Sequence, residues 1–406
     1  MSKTQTSTRR LRGATTPPRI STLVLLAGTS VMSMNIFLPM LPAIGTDLNV
    51  PPSVAQYVLT IFLAATAVVQ LFVGPLSDRF GRRPVLLCSL LIFLVATLVC
   101  IFAPTIEILL FGRVLQAASA TSMVLSRAII RDLFSRSKAA SMIGYVTMAM
   151  AVIPMVTPTV GGYVGAYYGW RATFVVLFVV VAILFALIYF DLGETHTPRR
   201  NSLSEQVSDY ITLLKEPSIW GYILCATFGS GAYFAFLGGA PFVGSDIIGM
   251  SSTDLGFYFG FVALGYMAGN FVSGRYSEKI GIEPMMFYGG IIACIGVGMA
   301  LLLMSNFDPK AGYLFYPMML VGMGNGMMLP NANAGTVSVR PDLAGSASGL
   351  SGFLTIGGGA ALASLSGSLI TSENQALPLY VIMFSSSLLG AGIAAMMYFK
   401  ARKEAV

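Results

Sequence analysis

Twelve apolar runs, each long enough to cross a bilayer, follow one another from residue 20 to residue 399. They fall at 20–44, 54–76, 84–102, 106–128, 139–163, 169–191, 218–242, 253–273, 285–305, 311–337, 343–370 and 376–399. A hydrocarbon core asks for roughly 20 apolar residues per helical crossing. Within it, each backbone N–H and C=O must find its partner inside the segment. Runs of this length and number predict an all-α membrane protein, with no room left for a soluble domain. Composition agrees: 55% of residues are hydrophobic and 10% charged, against about 25% charged in a soluble domain.

Placement of the charges matters more than their sum of +7. Lys3, Arg9, Arg10, Arg12 and Arg19 precede the first run, and Arg79, Arg82 and Arg83 follow the second. The pattern continues with Arg127, Arg131, Arg136 and Lys138, then Arg199, Arg200 and Lys215, then Arg275 and Lys279, Arg340, and finally Lys400, Arg402 and Lys403. If the runs alternate in direction, all of these lie on one side, and the other has only Arg171 and Lys310 near its surface. The positive-inside rule then puts both termini in the cytoplasm. The basic excess is topology, not a nucleic-acid footprint. A 25-residue first run is too long for a signal-peptide core, so it reads as a retained helix. Cys88, Cys100, Cys225 and Cys294 fall inside runs without metal spacing and read as small packing residues. His196 sits in a polar loop and reads as solvated.

The longest polar stretch, 193–216, divides the chain into six runs and six. This predicts a basic tail at 1–19, a six-helix bundle at 20–192, a linker at 193–216, a second bundle at 217–400 and a short tail at 401–406. "GPLSDRFG" after the second run is echoed by "GRYSEKIG" after the eighth: Gly74, Ser77 and Gly81 recur as Gly274, Ser277 and Gly281, Asp78 as Glu278, and Arg79 as Lys279. The same string at the same topological address predicts two parallel, pseudo-symmetric halves.

"GPLSDRFGRRPVLL" (74–87) resembles the signature loop of the major facilitator superfamily. "FGRVLQAASA" (111–120) is similar to its fourth-helix arginine motif. "VIPMVTPTVGG" (152–162) is similar to the fifth-helix proline–glycine motif of antiporters. "GWRATF" (169–174) opens helix six as in many drug exporters, and "MSMNIFLPMLPAI" (32–44) resembles the helix-one segment of the bicyclomycin/chloramphenicol-resistance drug:proton antiporters. The resemblance implies the major facilitator fold, and two halves rocking around a midplane site to exchange drug for protons. Position 35 departs from it: Asn35 stands where those antiporters carry an aspartate, and an amide cannot exchange a proton near neutral pH.

Each motif has a physical reading. Asp78 ends the second helix, where an anion is disfavoured unless a partner compensates. A helix N-terminus from the other half, the one starting near Leu343, could supply free N–H groups. Gly74 is expected to let backbones approach, Gly81 to permit a tight turn, and Arg79, Arg82 and Arg83 to hold the loop on the cytoplasmic face. Together they form a gating latch, with Gly274 and Glu278 in a weaker copy. Pro154, Pro158, Gly161 and Gly162 are expected to bend helix five and pack it closely against its counterpart in the other half.

Arg113 is the most expensive residue, costing at least about 2.5–3.5 kcal/mol at a helix centre. On a uniform helix it shares one face with Gln116, Ala120, Met123 and Arg127, a stripe suited to a water-filled path. Asn35 is the natural polar neighbour. Asp, Glu and His are missing from the depths of all twelve runs, so Glu107 becomes the titratable coupling candidate. The rest of the expected cavity is aromatic, methionine and amide: Tyr145, Met148, Tyr233, Phe234, Phe236, Tyr258, Tyr266, Asn270, Asn325, Asn331 and Asn333. Such side chains adapt to varied apolar ligands. Nucleophile–base pairs, phosphate loops and metal clusters do not occur at credible spacing, so neither an enzyme nor a cofactor is expected. The sequence predicts a monomeric exporter of small amphipathic molecules in the bacterial inner membrane, exchanging them for protons. The alternative is export of a specific small metabolite, an anion pairing with Arg113, with coupling routed elsewhere than helix one.

Overall fold

Apolar runs make the helices, and punctuating residues decide where each one stops. The protein is described by a computed structural model covering residues 20–134, 136–195, 203–369 and 376–404. The tail before residue 20, residues 405–406, His196, and the side chains of Tyr145 and Met148 lie outside the described residues.

The first half comprises α1 (Ile20–Asn35), α2 (Tyr57–Phe80), α3 (Arg82–Ile101), α4 (Ile106–Gln116, resuming as Ala120–Leu133), α5 (Arg136–Tyr168) and α6 (Trp170–Asp191). The second comprises α7 (Pro217–Phe242), α8 (Ser252–Ile280), α9 (Ile282–Asn306), α10 (Pro317–Val339), α11 (Ala344–Leu369) and α12 (Leu377–Glu404). All twelve predicted runs form helices, five of them extending a turn or more beyond the apolar stretch. Among the described residues, ten are long and apolar enough to cross a membrane; α5 and α10 match them in length, and they carry Pro154 and Pro158, and Asn325 and Asn331, respectively.

Two helices break. Pro39 and Pro42 lack N–H donors, so α1 ends at Asn35 and the chain continues through a 3₁₀ turn (Leu38–Met40) into a short helix, Leu41–Asp47. In α4 a 3₁₀ turn at Ala117–Ser119 interrupts the rod without a proline.

The same packing occurs twice. α1 packs on α5 and α3 on α6, as α7 packs on α11 and α9 on α12. The peripheral helices α3, α6, α9 and α12 turn Val95, Ile183, Ile295 and Leu388 outward, an apolar exterior suited to lipid. The halves meet along two symmetry-equivalent seams, α2 against α11 and α5 against α8. This corrects the expectation for α5, whose counterpart is α11. The repeat exchanges α2 with α8 and α5 with α11, so each seam pairs helices that are not each other's copies. The α5–α8 seam is backbone against backbone. A Cβ on Gly162 would overlap the Ser252 carbonyl of α8, and one on Gly256 would meet the Pro158 carbonyl of α5, while Gly161 lies against the Ile36 carbonyl at the break in α1 within the first half. Thr159 Oγ1 donates to the Gly256 carbonyl at 3.0 Å. Small residues permit such approach in membranes.

On the face carrying Arg79, Arg82 and Arg83, a linker helix (Leu203–Leu214) joins the halves. Its Tyr210 hydroxyl donates to the Leu71 carbonyl of α2 at 3.0 Å, and Asp209 accepts from Ser346 of α11 at 3.3 Å.

Candidate functional site

Arg113 lies wholly inside the first half, with no exposed surface. Its Nε donates to the Val58 carbonyl (2.8 Å), and its Nη1 to the Ser33 carbonyl (3.1 Å), Ser33 Oγ (3.2 Å) and Gln116 Oε1 (2.7 Å). Gln116 in turn donates to Thr97 Oγ1 at 2.8 Å. The guanidinium is sandwiched between Phe37 and Phe62, 4.3 Å from each ring centre. Four hydrogen bonds and two cation–π faces offset the cost of burying the charge. Arg113 thus ties α1, α2, α3 and α4 together; it does not face a cavity here, contrary to the expectation of a water-filled stripe.

The 3₁₀ turn supplies the reason. Each residue of a 3₁₀ turn advances about 120°, against about 100° in an α-helix. Three such residues rotate the remainder of α4 by about 60°. Arg113 and Gln116 therefore point into the bundle, while Met123 is half-buried and Arg127 exposed. The lower segment of α4 packs on α1, α2 and α3, leaving Arg127 directed toward the second half. Tyr266, midway along α8, lies within electrostatic reach of Arg127, and Tyr233 of α7 within reach of Tyr266. Both tyrosines and Asn270 are half-buried. Arg127, Tyr233, Tyr266 and Asn270 form one group, drawn from both halves, with Met123 one turn before Arg127 on α4.

Other predicted site residues are elsewhere. Asn35 is buried and donates to the Val31 carbonyl of its own helix (2.8 Å). Phe236 is buried in an aromatic core with Phe259 and Phe315, at centroid distances of 5.4 and 5.5 Å. Tyr258, two turns into α8, packs on Phe315 and Tyr316 away from the group around Arg127. Asn331 is buried and donates to Ser273 Oγ (2.8 Å) and the Met327 carbonyl (2.7 Å). Asn325 is buried with its Oδ1 unpartnered among protein groups. Glu107 is exposed in the first turn of α4. A lateral groove of about 540 Å³ between α2, α3 and α4 has no charged lining residue.

The first signature loop is a charge network. Arg82 reaches Asp78 (2.6 Å), Asp132 (3.2 Å) and the Ser77 hydroxyl. Glu194, just beyond α6, accepts from the backbone N–H groups of Arg82 (2.9 Å) and Arg83 (3.2 Å). An anion at a helix start satisfies free donors and the helix dipole. Arg83 donates to the Tyr189 carbonyl at 2.8 Å, and Arg79 is exposed beside Phe80. Gly81 has φ +94° and ψ 154°, a region essentially restricted to glycine, as a tight turn requires. Gly74 does not provide close approach: a Cβ there, or at Gly274, would meet nothing within 4 Å, because this stretch of α2 faces open space. Asp132 and Glu194 were legible only as carboxylates beside a basic loop. Ser33, Phe62 and Thr97, which hold Arg113, give no signal in the sequence at all.

Residues 23–364 match the sequence profile of the Major Facilitator Superfamily. The chain is 32% identical over 390 residues to an uncharacterized MFS-type transporter, YdgK, of Bacillus subtilis, covering 95% of each chain. It is 30% identical to a bicyclomycin resistance protein homolog of Haemophilus influenzae, over 85% of this chain and 88% of the relative. Among solved structures, a peptide transporter POT in complex with sulfate shares the fold with a TM-score of 0.79 at 14% identity, over 96% of each chain.

Proposed function

The chain belongs to the major facilitator superfamily, and on that premise we propose that it exports small amphipathic, drug-like molecules across the bacterial inner membrane, exchanging them for protons by alternating access. It works as a monomer with both termini cytoplasmic, in keeping with the basic face and the positive-inside rule. The observation that carries this proposal is the group formed by Arg127 of α4, Tyr233 of α7 and Tyr266 and Asn270 of α8, contributed by both halves, with Met123 one turn before Arg127. A site shared between two rocking bodies is what alternating access needs. Methionine and tyrosine supply adaptable contact for apolar rings.

Gating falls to the two repeated loops and to the proline–glycine segment of α5. Asp78, Arg79, Gly81 and Arg82 form the stronger gate, Gly274 and Glu278 the weaker one, and Pro154, Pro158, Gly161 and Gly162 the hinge of the α5–α8 seam. Every described carboxylate lies near a helix end or in a connection. Proton exchange therefore runs through an end carboxylate, for which Glu107 is the candidate on the arginine helix.

In everted vesicles holding a pre-formed ΔpH, bicyclomycin or chloramphenicol should collapse the gradient when this protein is present and not in vesicles without it. Drug accumulation with no change in ΔpH would remove protons from the mechanism. The absence of both responses across a drug panel would remove drug export.

A further inference from the structure

Arg127 is not used by the network that holds Arg113, nor by the gate. It sits in the lower part of α4, whose neighbouring residues Leu125, Ser126, Ala128 and Ile129 are buried, yet Arg127 itself is exposed. On the opposite half it lies within electrostatic reach of the Tyr266 hydroxyl. Because Tyr266 stands at the midpoint of Ser252–Ile280, the guanidinium is directed inward between the halves, unlike a topology-setting arginine that snorkels to the interface. Arg131, one turn further on, adds a second positive charge.

No described carboxylate compensates either arginine. Asp78 and Asp132, at the nearby helix ends, are engaged by Arg82. Asp209 accepts from Ser346, and Glu278 lies at the far end of α8, exposed. Asn35, the one polar residue at the helix-one position, is neutral. The space between the halves is thus one-sidedly positive, with five guanidinium donors on Arg127 available to a ligand. Low-dielectric walls strengthen such a field. A lipophilic cation entering it would find no counter-charge, whereas an anion would find a planar fork suited to carboxylate, sulfonate or phosphate.

We propose that Arg127 is the substrate-recognition residue of this transporter, and that it selects amphipathic molecules bearing an anionic headgroup, with Tyr233, Tyr266 and Met123 taking the apolar body. This rests on the export activity proposed above and names its substrate class. Lipophilic cations are disfavoured.

Three dansyl probes share one naphthalene body and differ in charge: 5-dimethylaminonaphthalene-1-sulfonate, its uncharged sulfonamide, and the dansylaminoethyl-trimethylammonium cation. Binding to the full-length protein in nanodiscs is read by fluorescence, and efflux from proteoliposomes by the same signal. Wild type should bind the sulfonate about tenfold or more tighter than the cation, since a charge-assisted hydrogen bond carries at least that factor. Arg127→Gln should bring sulfonate affinity down to that of the sulfonamide, and Arg127→Lys should keep part of the preference, which separates lost recognition from misfolding. Equal binding of all three probes by wild type, or an unchanged sulfonate preference in Arg127→Gln, overturns the inference and leaves the export activity standing. A wild-type protein that neither binds nor moves any of the three overturns both.

Discussion

The two signature loops share a backbone and differ in chemistry. Gly81 and Gly281 adopt nearly the same conformation, φ +94° and +99°, and each joins a long helix to the next. Around Gly81, though, Arg82 bridges Asp78 and Asp132, and Glu194 reaches in from beyond α6 to cap α3. Around Gly281 the equivalents Glu278 and Lys279 are exposed, and neither forms an ion pair among the described residues. α9 instead carries its own first-turn acid, Glu283, which accepts from the Tyr222 hydroxyl at 2.6 Å. Duplication preserved the shape a helix–turn–helix needs, because only glycine satisfies it. Charges met no such constraint, and one copy became a clamp while the other stayed a turn.

Arg82→Gln should break the contrast most deeply. It removes the guanidinium that Asp78 and Asp132 share, and charge-assisted bonds of about 1.5–3 kcal/mol, partly screened on the carboxylate side, translate into about a tenfold loss of efflux rate in proteoliposomes. The second loop has Ile282 at the position of Arg82, and Lys279→Gln, which removes its basic residue nearest the turn, should stay within about twofold; comparable losses would mean that the loops act alike.

Gly81→Ala and Gly281→Ala sharpen the comparison through stability. Both force a side chain into a glycine-only region at about 1–3 kcal/mol. Only at position 81 does the added methyl also collide with the Glu194 carboxylate; at 281 it meets just the Pro284 ring at 3.4 Å. Thermal unfolding in detergent should therefore show the larger fall in Tm for Gly81→Ala.

Asp78→Asn should slow transport more than Arg83→Gln, whose side chain donates only to a carbonyl. Equal effects would argue against Asp78 as a gate. The smallest expected change is Glu194→Gln, which keeps an acceptor for one N–H and loses the charge at the start of α3, worth about 0.3–1 kcal/mol. It should lower Tm slightly, and less as salt is raised.

Much of this was legible from residue order. Twelve runs announced twelve helices, and the echo of residues 74–81 at 274–281 announced two parallel halves. Arg113 stood out as a charge in an apolar setting that had to be compensated. Its compensation was not legible, because carbonyls of Ser33 and Val58 become acceptors only when α1 and α2 pack beside it. Nor could the single stripe from Arg113 to Arg127 be corrected in advance: "AAS" at 117–119 carries no proline or glycine to announce a 3₁₀ turn. Phe236 and Tyr258 look like cavity aromatics in one dimension and are core and outer packing in three.

Hydrophobic run length, the lysine and arginine pattern and the repeated glycine-bounded loop determined the helix count, the class and the two-fold plan on their own. Each is a one-dimensional property: bilayer thickness sets the first, the sidedness of basic residues the second, backbone sterics the third. Which arginine is sealed among phenylalanines and which faces the other half was decided only by tertiary structure. That choice depends on a local change in helical pitch and on neighbours far away in the chain.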